Sequence, residues 1–249
     1  MDLVIDNFWG GLGDWLSIST LPEEFNKFGH DVYLSDSAVF RNDEIKQLFL
    51  MNPFIKGVTA DKPSIGDVPG KTPAYKNTTG NHTKNWEVSH NLPGVNEFPK
   101  IYYEPDQKQT NNLVLVDTTA ITADYDESKL EEILKMAYGE FPQANFVAVE
   151  FKSSMNSSDR DRFHGGKHSS YKTYIDDRLM IESIFEYCDW IASAAGYVSL
   201  HSGGHALAVA VKNQFNTELR QLCVVDYPRY QRHAQACLHL FPGVRYLVF

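Results

Sequence analysis

Asn7-Phe8-Trp9-Gly10-Gly11-Leu12-Gly13-Asp14-Trp15-Leu16 is a glycine-rich stretch between an apolar run and a helical pattern. The run before it, Leu3-Val4-Ile5, is typical of a short buried strand, and the helical pattern continues to about residue 28. Three glycines at such a junction let the backbone turn sharply and approach a ligand, because they carry no Cβ. The following helix directs free amides and its positive dipole end at the loop, which predicts that Asp14 is held ionised there. The stretch therefore predicts either a tuned base or a helix cap at the end of a strand.

The first half of the chain alternates predicted strands and helices. Pro22 interrupts the helical stripe over residues 15–28 and predicts a kink or an early break. A second strand is predicted over 31–35, a helix over 41–51 and a third strand over 54–58. This order predicts a parallel sheet with right-handed crossovers.

A second alternation follows a long polar region over residues 61–112, whose segment 104–112 has the composition of a linker. Strands are predicted over 113–116, 146–149, 197–200, 222–225 and 246–249, and helices over 127–138, 179–192 and from about 205 to 211. The turn at 201–205 is glycine-rich, like the first one. The pattern predicts an α/β fold of two Rossmann-like domains, 1–108 and 109–249, with both turns facing one cleft above the carboxyl ends of the strands.

Composition excludes several classes of protein. The net charge of −9 and the sequence pI of about 5.4 disfavour bulk binding to nucleic acid, which requires clustered Lys and Arg. No apolar run approaches the roughly 20 residues that span a bilayer, and no signal peptide precedes the first strand. Three widely spaced cysteines are typical of reduced thiols. We therefore expect a cytoplasmic protein without a membrane span.

The first glycine-rich turn also resembles a dinucleotide fingerprint, with Asp36 at the position of a ribose-binding acid. Leu16 stands where such a fingerprint needs a small residue, and Asp14 would repel the pyrophosphate. An NAD(P)-binding oxidoreductase is therefore the weaker hypothesis for this turn. The alternative that Asp14 only caps the helix remains open, because Asp is a preferred cap.

Several segments together resemble the heptosyltransferase family of glycosyltransferases. They are Gly10-Gly11-Leu12-Gly13-Asp14, Asn52-Pro53-Phe54-Ile55-Lys56-Gly57-Val58 and the run from Ile191 through Ser202-Gly203-Gly204-His205 to Ala208. The resemblance implies a two-domain GT-B fold and transfer of a sugar, with inversion, from a nucleotide-sugar to an acceptor hydroxyl. It also implies that the nucleotide-sugar is a co-substrate and that neither a metal nor another cofactor is needed. The class of the acceptor stays undetermined.

Residue by residue, the resemblance implies that Asp14 is the general base. It implies that Ser202, Gly203 and His205 form the donor-binding turn. Gly204, together with Gly11 and Gly13 of the first turn, is predicted to contribute free amides toward the departing diphosphate. Such amides stabilise the transition state more than the ground state, because negative charge develops as the diphosphate leaves.

One departure from the family pattern motivates a different class of function. The segment from Asp117 to Asp124 lacks the basic residue that the family places near the diphosphate, and His201 stands where the family has an acid. A cation is then sought in the basic loop that contains Arg160, Arg162, Lys167 and Lys172. The alternative is a catalytically silent nucleotide- or glycan-binding module.

Other chemistry at the second turn is less favoured. His201 and His205 have the spacing of zinc ligands, but Gly203-Gly204 and the missing Glu argue against a zinc site, so no metal is predicted. His205 either contacts the donor or packs under the sheet, hydrogen-bonded to its surroundings. Ser202 is a poor hydrolase nucleophile, because Leu200 occupies a position where the nucleophile elbow has glycine.

Aromatic residues recur in the polar region between residues 61 and 103. Trp86 and Tyr102 are the candidates for an acceptor or sugar platform, because flat rings suit the apolar faces of pyranoses. The alternative is that these rings anchor a long loop onto its domain.

Overall fold

The computed structural model describes residues 1–70, 81–110, 112–118, 127–152, 174–225, 227–228, 230–231 and 240–248. The chain divides into two compact units. Unit 1 comprises Met1–Tyr103 and Pro228–Pro242, and unit 2 comprises Glu104–Tyr227 and Gly243–Phe249. The segment Pro228–Pro242 of unit 1 separates two strands of unit 2 in the sequence. These strands, Arg220–Val225 and Arg245–Val248, are parallel neighbours in one sheet.

Unit 1 is built on a four-stranded parallel sheet with the order β3-β2-β1-β4. Its elements are β1 (Asp2–Asp6), α1 (Leu12–Ser17), α2 (Leu21–Lys27), β2 (Asp31–Ser35), α3 (Asp43–Leu50), β3 (Ile55–Thr59), β4 (Ile65–Gly66) and α4 (His82–Ser89). The central strand β1 is buried at Leu3, Val4 and Ile5, as the apolar run predicts. The parallel arrangement brings the ends of β1 and β2 to the same edge of the sheet.

The helical stripe over residues 15–28 is divided into α1 and α2. Pro22 lies in the first turn of α2, where its missing N–H needs no partner. The break predicted from Pro22 is therefore confirmed. Helix α1 begins at Leu12, earlier than predicted, so Asp14 is the third residue of the helix and Gly11 is its N-cap.

Unit 2 contains a six-stranded parallel sheet with the order β10-β9-β8-β5-β6-β7. Its elements are β5 (Leu113–Asp117), α5 (Glu127–Glu140), β6 (Asn145–Phe151), β7 (Asp177–Ile181), α6 (Ile184–Ser193), β8 (Gly196–Leu200), α7 (Gly203–Phe215), β9 (Arg220–Val225) and β10 (Arg245–Val248). One hydrophobic cluster joins Leu134, Ala137 and Phe141 of the α5 region to alternate residues of β5, β8 and β9. No helix in the described parts of the chain is long and apolar enough to cross a membrane.

Three elements contradict the sequence prediction, and the first is the two-residue strand β4, which lies in the region predicted to be irregular. Residues 179–181 belong to the edge strand β7 rather than to a helix. The prediction extended the helix too far because Ile181 continues the three- and four-residue spacing of Ile184, Cys188 and Ile191. Helix α4 lies within the region predicted to be irregular. It buries mostly polar side chains, among them His82, Asn85 and Glu87, so no apolar stripe marks it in the sequence.

Candidate functional site

The glycine-rich turn of unit 1 connects β1 to α1 and is held at several points. The Trp9 N–H donates to Oδ1 of the buried Asn7 at 3.1 Å. Gly10 has φ +69°, and a Cβ there would lie 2.9 Å from Val39 Cγ1 and 3.0 Å from the Val39 carbonyl oxygen. The Gly10 carbonyl accepts the Arg41 N–H at 3.0 Å. Only glycine fits this position, because the backbone conformation and the contact with Val39 both exclude a side chain.

Asp14 closes the N-terminus of α1 from within the first turn of the helix. Its Oδ2 accepts the N–H of Gly11 at 3.1 Å. A Cβ on Gly11 would lie 2.6 Å from that same oxygen, so glycine allows the carboxylate its close approach. Leu12, Gly13 and Asp14 are all partly exposed. The carboxylate therefore performs a capping function and also reaches the surface.

The electrostatic environment of Asp14 favours proton uptake. Burial raises the pKa of Asp14, and this effect outweighs the Arg41 charge and the Gly11 N–H, which both lower it. The charge of Asp67 adds to the increase. The helix dipole and the Gly11 N–H favour the ionised form, but the loss of hydration on burial has the larger effect on the pKa. A carboxylate with a raised pKa is a stronger base.

Arg41 belongs to this site, although no motif in the sequence marks it. It follows β2, and its guanidinium interacts electrostatically with Asp14. Within the described residues the guanidinium makes no hydrogen bond or ion pair, so its donors are available to a ligand. The adjacency of β1 and β2 in a parallel sheet is the signal that could have found it, because residues following both strands meet at one edge.

The second glycine-rich turn joins β8 to α7, and Ser202 is the N-cap of that helix. The Ser202 side chain makes no capping hydrogen bond, and its buried Oγ has no hydrogen-bond partner among the described residues. Gly203 and Gly204 form the first turn of α7 and are partly exposed. The sequence prediction of a glycine-lined helix start is met here, and the assignment of a donor to it stays a prediction.

A buried carboxylate lies directly beneath this turn. Asp117, at the end of β5, is 1% exposed, and its Oδ2 accepts the hydroxyls of Tyr187 at 2.6 Å and Tyr197 at 3.0 Å. Burial, then the Asp117 charge, raises the pKa of both tyrosines, which keeps them protonated donors. A Cβ on Gly204 would collide with Asp117 Oδ2. Gly204 is therefore required by packing, whatever it binds.

His205 is fully buried inside unit 2. Its Nδ1 accepts from Gln221 Nε2 at 2.9 Å, which leaves Nε2 to donate to the Tyr246 hydroxyl at 3.2 Å. The ring of His201 packs against it with centroids 5.6 Å apart. The structure favours the interpretation of His205 as a packed, hydrogen-bonded histidine. Within the described residues, no group of three His, Cys, Asp or Glu side chains is placed to hold a metal ion.

The two candidate platform residues differ in exposure. Trp86 in α4 is only 5% exposed, and its indole N–H donates to His82 Nε2 at 3.2 Å. This burial favours the anchoring role for Trp86. Tyr102 is partly exposed and borders a mostly apolar cavity of unit 1 formed by α1, α3 and residues 100–102. Its hydroxyl donates to Glu23 Oε2 at 2.9 Å.

Comparison with known proteins gives structural likeness without detectable sequence similarity. No protein-family model matches the sequence, and no curated protein matches it. Solved structures that share the fold include the glycosyl transferase family 9 protein from Veillonella parvula DSM 2008, E. coli heptosyltransferase WaaC with ADP-2-deoxy-2-fluoro heptose, and the iron-containing dodecameric glycosyltransferase TibC from enterotoxigenic E. coli H10407.

The likeness to the first two extends over nearly all of each chain. The Veillonella protein has a TM-score of 0.63 at 9% identity, with 100% of this chain and 85% of that chain covered. The WaaC complex has a TM-score of 0.56 at 10% identity, with 99% and 93% covered. TibC has a TM-score of 0.59 at 14% identity, with 90% of this chain and 57% of the TibC chain covered. The predicted α/β fold of the GT-B type is confirmed, and so is the structural resemblance to the heptosyltransferases.

Proposed function

We propose that this chain is a glycosyltransferase that moves a sugar from a nucleotide-sugar to an acceptor hydroxyl, with inversion and without a metal ion. The observation that carries the proposal is the partly exposed Asp14, whose pKa is raised and which lies beside the Arg41 guanidinium. Within the described residues this guanidinium makes no hydrogen bond or ion pair. The full-length likeness to glycosyltransferases supports it. WaaC was solved with ADP-2-deoxy-2-fluoro heptose and TibC with ADP-D-beta-D-heptose, so we propose a nucleoside-diphosphate sugar as the donor.

The proposed step requires a base for the acceptor proton and a site that stabilises the negative charge on the departing diphosphate. The acceptor oxygen forms a bond to the anomeric carbon while the bond from that carbon to the diphosphate oxygen breaks. The acceptor proton passes to a carboxylate oxygen of Asp14, and the electron pair of the broken bond stays on the diphosphate. Attack from the face opposite the leaving group inverts the anomeric configuration. Basicity at Asp14 promotes this step because proton removal accompanies attack.

The start of α7 is the proposed site for the departing diphosphate. Free backbone amides at Gly203 and Gly204 are suited to bind anionic oxygens, and the Ser202 hydroxyl has no competing partner among the described residues. Asp117 places a negative charge under the same turn. A cation near the diphosphate would offset this charge as the diphosphate leaves. The basic loop residues predicted to supply this cation, Arg160, Arg162, Lys167 and Lys172, lie outside the described residues.

The test is a screen of the purified chain against nucleoside-diphosphate sugars. Thermal stabilisation by one donor, followed by acceptor-dependent release of free nucleotide and formation of an inverted glycoside, is the expected result. Full activity after treatment with a chelator is expected as well. Stabilisation without release across a broad acceptor panel would instead identify the silent binding module, and stabilisation by NAD or NADP would identify the oxidoreductase.

The pH dependence of transfer is expected to move in opposite directions in two variants. Asp14 must be ionised to accept a proton, so activity is lost as the pH falls through its pKa. Arg41 lowers this pKa and Asp67 raises it. Arg41→Ala should therefore move the acidic limb of the kcat/KM profile to higher pH, and Asp67→Asn should move it to lower pH.

Lys56→Ala is the control for removing a charge, because Lys56 is an exposed residue of β3 in the same unit. Its acidic limb should coincide with that of the unmodified chain. Shifts of the same sign in Arg41→Ala and Asp67→Asn would show that Asp14 does not set the limb.

A further inference from the structure

Two adjacent aromatic rings are exposed on the turn that precedes Asp14. Phe8 is 72% exposed and Trp9 is 63% exposed, whereas most large apolar side chains of unit 1 are buried. The two rings contact each other edge to face, with centroids 5.5 Å apart and planes at 85°. Covering exposed aromatic rings of this size with a ligand is favourable, because it removes apolar surface from water. Their position between β1 and α1 places them at the strand edge where Asp14 lies.

The backbone that carries these rings is fixed on both sides. Before them, the Asn7 N–H donates to Asp6 Oδ1 at 2.6 Å, and the buried Asn7 side chain accepts the Trp9 N–H. After them, Gly10 packs against Val39. Rings on a preorganised turn lose little conformational entropy when a ligand binds, which is a property of a recognition surface.

We propose that Phe8 and Trp9 form the acceptor platform, and that the acceptor is a saccharide whose pyranose face lies on these rings while its hydroxyl meets Asp14. This inference rests on the proposed function and deepens it by naming the acceptor class. It moves the platform from Trp86, whose ring is buried, and from the partly exposed Tyr102, whose hydroxyl is held by Glu23, to two rings that are exposed.

The chemistry of the turn favours a saccharide over other acceptors. A sugar offers apolar C–H groups on one face and hydroxyls at its edge. The site matches this with the flat rings of the turn, the carboxylate of Asp14 and the Arg41 guanidinium, which makes no hydrogen bond within the described residues. A nucleic acid is disfavoured by the net charge of −9. Two rings alone are also far smaller than a stable protein interface.

The test separates the platform from the transferase activity. The whole chain is applied to an oligosaccharide array without donor, and its best oligosaccharide is then titrated into the chain in solution. Trp9→Ala and Phe8→Ala are each expected to weaken binding by roughly tenfold. Phe28→Ala removes a comparably exposed ring, 58% exposed at the end of α2, and should bind as the unmodified chain does.

Kinetics with the same oligosaccharide as acceptor give the second readout. Trp9→Ala should raise the KM for the acceptor and leave the KM for the donor unchanged. The platform proposal is refuted, even if the chain is an active transferase, if no oligosaccharide on the array binds. It is also refuted if Trp9→Ala and Phe28→Ala bind equally well. A raised donor KM would show that the rings stack on the nucleotide base, and loss of a dimer in Trp9→Ala would show a self-association surface; either result refutes the proposal. If transfer is never detected but binding depends on Trp9, the proposed function fails while the saccharide site stands.

Discussion

Asp14→Asn is expected to lower kcat for sugar transfer by roughly 10²- to 10⁴-fold, the range that a positioned general base contributes. The amide cannot accept the acceptor proton at neutral pH. Its oxygen can still accept the Gly11 N–H that the carboxylate binds at 3.1 Å, so the start of α1 is expected to keep its structure. Binding of the nucleotide-sugar should persist, because the proposed donor turn lies in unit 2.

The stability of this variant follows from the sign of the pKa shift. The folded-state pKa of Asp14 is raised by burial, so ionisation is penalised in the folded chain and that penalty is present at pH values above the pKa of the unfolded chain. Removing the charge relieves the penalty. The urea midpoint of Asp14→Asn at neutral pH is therefore expected to equal or exceed that of the unmodified chain.

Asp43→Asn is the matched control for Asp14→Asn. Asp43 is also an acid in the first turn of a unit 1 helix, but it is exposed and belongs to α3. It should retain full transfer activity with a change in stability of only a few tenths of a kcal/mol. Turnover at the unmodified rate in Asp14→Asn would show that the base has been misassigned.

Gly204→Ala is expected to lower the free energy of unfolding by about 2–4 kcal/mol, because the new methyl group overpacks a buried polar cluster. The added Cβ would collide with Asp117 Oδ2 and would lie 3.0 Å from the Tyr197 hydroxyl and 3.2 Å from the Tyr187 hydroxyl. Neither α7 nor the carboxylate can move away freely, since Asp117 is held by both tyrosines. Denaturation in urea measures the effect.

Gly139→Ala provides a control with the opposite sign. Gly139 lies in α5 of the same unit, and a Cβ built on it meets no atom within 4 Å. Alanine there should raise the free energy of unfolding by about 0.5–1 kcal/mol through its higher helix propensity. If Gly204→Ala is as stable as the unmodified chain, the close approach of α7 to Asp117 does not exist in solution.

Much of the fold could be predicted from local patterns. Two continuous apolar runs form buried strands, Leu3-Val4-Ile5 and Leu113-Val114-Leu115-Val116. Such runs indicate strands of a parallel sheet, because helices cover both faces of that sheet. The start of the helix over 179–192 was predicted too early, because Ile181 of β7 has the helical spacing of the apolar residues that follow it. Helix α4 was missed because its buried side chains are mostly polar and find partners that the sequence does not show.

The candidate site shows the same division. Asp14 and the glycine-lined helix starts could be located from the sequence, because strand–glycine–helix junctions are local features. Arg41 could not, since its proximity to Asp14 depends on which strand pairs with β1. The helix dipole predicts an ionised Asp14 but not the rise in its pKa, because the dipole is a property of the local backbone whereas burial depends on the surrounding chain.

The sequence by itself determined the alternation of strands and helices, the two glycine-rich turns and the acid in the first of them, all of which depend on residues close together along the chain. Only the tertiary structure decided which side chains are exposed and which are held. It buries Trp86 and His205, leaves Phe8 and Trp9 open, and presses Asp117 against Gly204. The physical reason is that burial and electrostatic environment are set by residues far apart in the chain, which only the packed sheet and helices bring together.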